Sequence, residues 1–138
     1  MKNLESPDLL NAALTARTRA YAPYSGFAVG AAVEAESGRI YSGCNVENAS
    51  LGLTVCAERI AIFNAVSAGE TKLRRLLVVA NSAGPVSPCG ACRQVMQEFN
   101  LSEVILCNVA GNCRMLTLSE LLPYGFNREQ MEGAAGHE

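Results

Sequence analysis

The sequence predicts an α/β fold, a mixed five-stranded sheet with helices on both faces. Helical apolar patterns at 55–68 and 89–99 each precede a continuous apolar run of strand length, at 73–80 and 103–108. An alternating segment through Phe27, Val29, Ala31 and Val33, then Ser37-Gly38 and a second strand at 39–45, adds an antiparallel hairpin. Residues 108–112 contain Ala110-Gly111 and are too few for a parallel crossover, so a last strand at 114–118 returns antiparallel.

Near the start of the chain, Ser6-Pro7 is followed by Leu9, Leu10, Ala13, Leu14, Arg17 and Ala20, the spacing of a capped amphipathic helix that covers a sheet. Residues 21–26 form a loop with Pro23 and Gly26 ahead of the hairpin, and 46–54 form a second loop. In 55–68 the apolar residues Ala57, Ile60, Ala61, Phe63, Ala65 and Val66 point to nearly every side, which marks a buried helix. Residues 81–88, rich in Gly, Pro and Ser, lead to the helix at 89–99. Thr117-Leu118-Ser119-Glu120 has the form of a capping box for a short helix reaching Leu122, which Pro123 ends. No repeat or linker divides the chain. We expect a single domain over 1–138, its core at about 8–126 and a polar tail at 127–138.

A chain of 138 residues with 49% hydrophobic content holds a packed core without disulfide staples. Eleven basic and thirteen acidic side chains give a net charge of −2, which argues against a nucleic-acid partner. The short Lys72, Arg74, Arg75 cluster reads as a solvated strand entrance rather than a phosphate track. No segment is long enough to span a bilayer, and residues 1–7 lack an apolar signal core. The expected location is therefore the reducing cytoplasm. Of six cysteines, Cys44, Cys107 and Cys113 read as small core hydrophobes without chemistry.

The other three carry the function. Cys56-Ala57-Glu58-Arg59 and Pro88-Cys89-Gly90-Ala91-Cys92 supply three thiolates and one acid. A structural zinc site closes all four tetrahedral positions with Cys or His, whereas a catalytic one leaves a position for water. His137, one residue from the end of a polar tail, is a poorly supported fourth ligand. Cys89 and Cys92 share one face if a helix starts near Pro88, and Thr54 can cap a second helix carrying Cys56 and Glu58 in its first turn. Both helix dipoles then present positive ends to thiolates.

These residues resemble the zinc-dependent nucleoside and nucleotide deaminases, whose signature is a His or Cys, one residue, Glu, then Pro-Cys-x-x-Cys. Tyr21-Ala22-Pro23-Tyr24-Ser25-Gly26-Phe27, Gly43-Cys44-Asn45-Val46-Glu47-Asn48 and the three-cysteine site resemble the small, homotetrameric cytidine deaminases over about residues 8–126. The resemblance implies a three-layer α/β/α fold, one zinc per chain on Cys56, Cys89 and Cys92, and hydrolytic deamination of cytidine and 2′-deoxycytidine in pyrimidine salvage. In that family, polynucleotide deaminases usually place a helix between the last two strands, so the short 108–112 loop favours a free nucleoside.

On this reading zinc activates water, and Glu58 takes the water's proton, delivers it to N3 of cytosine and, in a later transfer, protonates the departing amine. Three thiolates leave the metal with net negative charge, which Arg59, three residues after Cys56, offsets by donating to ligand sulfurs; the competing reading is a surface arginine. The resemblance further implies that Asn45 and Glu47 bond the ribose hydroxyls, Phe27 packs beside the base and the Ala57 amide reads its carbonyl. Without it, the first two are turn-stabilising polar residues and Phe27 is core. Phe126, beyond Pro123-Tyr124-Gly125, either folds back on its own domain or, as the resemblance implies, enters a neighbouring subunit's pocket. Leu51 departs from the pattern, standing where many relatives carry tyrosine. Two alternatives are a zinc deaminase for another cytosine compound, such as an aminoacylnucleoside antibiotic, and a structural zinc knuckle, which would need a fourth ligand and no placed acid.

Overall fold

The structure, a computed structural model, describes residues 7–132. Its elements run α1 (Pro7–Arg17), β1 (Val29–Ala35), β2 (Ile40–Cys44), α2 (Ala57–Ser67), β3 (Leu73–Ala80), α3 (Gly90–Glu98), β4 (Glu103–Asn108), β5 (Cys113–Leu116), α4 (Leu118–Leu121) and α5 (Arg128–Glu132), with a 3-10 turn at Leu51–Leu53. The five strands form one mixed sheet in the order β2-β1-β3-β4-β5. Only β3 and β4 pair in parallel; the other three pairings are antiparallel.

Strand alternation divides the buried residues between two layers. On one face Leu9 and Ala13 of α1 pack against Ala32, Leu77, Val79 and Ile105. On the other, Ala61, Ile62 and Ala65 of α2 and Cys92 and Met96 of α3 pack against residues such as Ala31, Val33, Leu76 and Val104. The apolar run Leu76–Ala80 of β3 is continuous because both of its faces are covered. Two glycines set how closely the helices approach. A Cβ at Gly30 would lie 2.0 Å from the Ala13 carbonyl oxygen, and one at Gly43 would lie 2.5 Å from the Ala61 amide nitrogen. Each permits helix backbone to lie directly on a strand.

The short turn after β4 does return antiparallel, and Thr117 and Glu120 do form a capping box. Three expectations change. Cys107 and Cys113, read as inert core residues, are cross-strand register partners joined by a disulfide, whereas Cys44 is free and half-buried. A short helix, α5, stands in the segment read as tail, where charged residues left no apolar period to announce it. The helix with Cys56 begins at Ala57 rather than Val55, because Val46 and Val55 exchange two backbone hydrogen bonds of 3.0 Å that hold the chain extended there. The proposed Ser6 cap and His137 lie outside the described residues.

Candidate active site

Cys56 and Cys89 occupy equivalent positions, each the extended residue that immediately precedes a helix. A residue there normally turns a side-chain oxygen back onto the first-turn amides. Neither cysteine makes such a bond, so both thiols are free to face outward while the helix ends still present unsatisfied N–H groups. Thr54 is not the cap: its hydroxyl accepts from the Asn48 amide at 3.3 Å, two residues ahead of the true capping position. Pro88 likewise stands before the cap rather than inside the helix.

The two helix starts bring three sulfurs together. Cys56 and Cys89 Sγ are 3.7 Å apart and Cys89 and Cys92 Sγ 3.5 Å, and all three sulfurs lie within 4.8 Å of one another. Tetrahedral zinc with Zn–S bonds of about 2.3 Å requires sulfurs about 3.8 Å apart, so the trio fits the metal. A hydrogen bond from Cys92, and then the Arg59 guanidinium, draw the Cys56 thiol down to about 5. The Cys92 thiol is pushed up, first by that shared hydrogen bond with Cys56 and then by burial. Arg59 Nη2 donates to Cys56 Sγ at 3.6 Å, while its Nε is buried without a protein partner. Arginine thus faces the sulfur cluster rather than solvent.

Glu58, in the first turn of α2, is 4% exposed. Burial above all, with the nearby Cys56 charge, raises its carboxyl to about 7. Beside it opens a cavity of about 280 Å³, whose wall includes Phe27, Asn45, Glu47, Ala57 and Cys89. Asn45 is buried and already bonded at both ends of its amide: Oδ1 accepts from the Val29 amide at 2.9 Å, and Nδ2 donates to the Phe27 carbonyl at 2.8 Å. Glu47 accepts from the Tyr24 amide at 2.9 Å and from the Ser25 amide and hydroxyl at 3.1 and 2.5 Å. Those bonds hold its carboxyl below the usual carboxylate range, the Ser25 hydroxyl contributing most.

Phe126 is not brought to this cavity. Its carbonyl accepts from Gln94 Nε2 at 2.8 Å, its side chain is largely exposed, and the cavity wall does not include it. Leu51 and Leu53 are also exposed, on the 3-10 turn ahead of α2. Sequence reasoning missed Ser25, Thr54, Val86 and Ser87 of the wall, which come from loops without periodicity. It also missed Arg93, whose Nε donates to the Pro88 carbonyl at 2.9 Å and whose Nη1 donates to the Leu121 carbonyl at 2.8 Å. An arginine four residues after Cys89 was its only signal.

A family model described as the cytidine and deoxycytidylate deaminase zinc-binding region matches residues 5–108. The chain belongs to this family. Among curated relatives, the cytidine deaminase of Sporosarcina psychrophila is 52% identical over 122 residues, covering 87% of this chain and 90% of the relative. That of Halalkalibacterium halodurans is 49% identical over 125 residues, covering 89% and 95%. The crystal structure of cytidine deaminase from Burkholderia pseudomallei is 47% identical and superposes with a TM-score of 0.85, over 89% of this chain and 100% of that one. The protein is thus an enzyme of the deaminase family with the family's five-stranded sheet, and Cys56, Cys89 and Cys92 form the group positioned for its zinc.

Proposed function

We propose that the protein catalyses the hydrolytic deamination of cytidine and 2′-deoxycytidine to uridine and 2′-deoxyuridine, releasing ammonia. The observation that carries this reading is a buried glutamic acid beside three clustered sulfurs, at a cavity whose other residues suit a nucleoside. Cys56, Cys89 and Cys92 would hold the metal, and zinc bound there supplies Lewis acidity able to bring the pKa of water to about 7. Glu58 takes one proton from the attacking water and delivers it to N3 of the base, then takes the second from the new C4 hydroxyl and gives it to the departing amine, so that ammonia leaves as the C4 carbonyl forms.

Asn45 and Glu47 contact the ribose, Phe27 packs beside the base, and the Ala57 amide, at the start of α2, donates to the base carbonyl. Asn45 offers the ligand only the second Nδ2 hydrogen and a second lone pair, because backbone partners take the first of each. Arg59 draws charge from the sulfurs through its bond to Cys56. We further propose that the whole chain acts as one domain, that it assembles as a homotetramer in which Phe126 covers a neighbour's pocket, and that it serves pyrimidine salvage. The exposure of Phe126 away from its own cavity supports the shared site. Among the described residues no helix is long and apolar enough to cross a membrane.

The test is ammonia release by the zinc-loaded protein from cytidine, 2′-deoxycytidine, cytosine and CMP. Turnover of the two nucleosides is expected. Release from CMP alone would replace the reading with a nucleotide enzyme.

A further inference from the structure

The side of the cavity away from the sulfurs is built from two loops that lie on each other through backbone bonds. The Tyr21 amide donates to the Asn45 carbonyl at 3.0 Å, and the Glu47 amide donates to the Tyr21 carbonyl at 2.8 Å. This ladder stops at residue 47. Beyond it, the relation between the two loops passes through side chains, and Ser25 is where they meet.

The Ser25 hydroxyl donates its single proton to Glu47 Oε2 at 2.5 Å and accepts from the Phe27 amide at 3.0 Å. One hydroxyl therefore ties the residue proposed for the sugar to the residue proposed for the base. Glu47 Oε1 is separately held by the Tyr24 and Ser25 amides. Removing the hydroxyl would leave the carboxylate anchored at Oε1 and free to pivot, so Oε2 would lose its fixed direction. Ser25, Phe27 and Glu47 all line the same cavity.

We infer that Ser25 is a positioning residue of this enzyme, which acts on substrate through Glu47 rather than by contact of its own. The inference rests on the nucleoside reading above. It predicts that Ser25→Ala raises KM for cytidine on the order of tenfold, the worth of one hydrogen bond to a charged group, with the loss falling mainly on KM rather than kcat. Ser25→Thr, which keeps the hydroxyl, should recover most of it. The sugar supplies the readout that a merely structural role would not move. The preference for cytidine over its 2′-deoxy and 3′-deoxy analogues, measured as kcat/KM, should fall in Ser25→Ala toward that of Glu47→Ala.

The experiment compares wild type, Ser25→Ala, Ser25→Thr, Glu47→Ala and the Ser25→Ala/Glu47→Ala double variant, each checked for zinc content. Support would be a double variant close to Glu47→Ala alone, showing that the two residues act as one unit. Additive losses, or a wild-type KM in Ser25→Ala while Glu47→Ala is impaired, would overturn the role of Ser25 and leave the sugar contact standing. Unchanged KM and sugar preference in Glu47→Ala itself would overturn both.

Discussion

Asn45→Ala separates two jobs for one side chain. The amide closes two part-buried bonds, 2.9 Å from the Val29 amide and 2.8 Å to the Phe27 carbonyl, and so fixes the entry of β1. At about 0.5–1.5 kcal/mol net for each bond, losing both should cost about 1–3 kcal/mol of stability. For a domain near this size that is a fall in melting temperature of roughly 2–4 °C per kcal/mol. The assay is thermal unfolding of the zinc-loaded variant at one fixed protein concentration, beside KM for cytidine, because ligand and assembly both shift melting. KM should rise as well, since Phe27 sits on the segment that loses its brace. Glu47→Ala is the control: its partners lie on an exposed loop, so KM should rise with little change in melting. An Asn45→Ala protein that melts with wild type while losing only substrate affinity would refute the bracing argument.

Single Ser replacements of Cys56, Cys89 or Cys92 should each strip the zinc and abolish turnover, whereas Cys44→Ser should retain one metal per chain; metal analysis decides, and equal depletion in Cys44→Ser would show the wrong set was chosen. Glu58→Gln should keep zinc and fold yet lose about 10²–10⁴-fold in kcat, the usual worth of a placed proton carrier, and near-normal turnover would remove Glu58 from that role. Reassembling Glu58→Gln chains with Phe126→Ala chains should restore activity above either parent; proven hybrids without recovery would place each pocket within its own chain.

The fold was legible wherever burial imposed a period. The run at Leu73–Ala80 had to be a covered strand, and Glu103–Asn108 matched its expected bounds, because the two layers bury Leu76–Ala80 and Val104–Cys107 on both faces and leave Arg74, Arg75 and Glu103 at the strand entrances. The metal trio was legible because each of its halves, Cys56 with Glu58 and Cys89 with Cys92, is a local motif, and the family resemblance joins the two. What escaped depends on contacts between distant residues. The start of α2 is fixed by the bridge between Val46 and Val55, and the commitment of Asn45 to Phe27 and Val29 needs β1 and β2 already paired. The disulfide was hidden for a related reason: Cys107 and Cys113 oppose each other only once the turn between them sets the register.

Strand direction explains why two sequence-distant motifs meet at all. Both β2 and β3 pair antiparallel with β1, so they run the same way although they are not neighbours. Their C-terminal ends therefore emerge at one edge of the sheet. The chain leaves each end by a loop and enters a helix that packs on the same face, α2 after β2 and α3 after β3. Two helix N-termini must then start side by side, and the capping residues at those starts are Cys56 and Cys89. Cys92 follows one turn later on the same side, and Glu58 lies in the first turn of the other helix. Three sulfurs positioned for a metal and a buried carboxyl are thus placed where two helix dipoles point and where two strands end, the position at which open α/β sheets offer a crevice. Gly43 belongs to the same construction. It sits one residue before the end of β2 and lets α2 lie close enough for its first turn to reach the partner helix, so the glycine and the cysteine thirteen residues later serve one geometry.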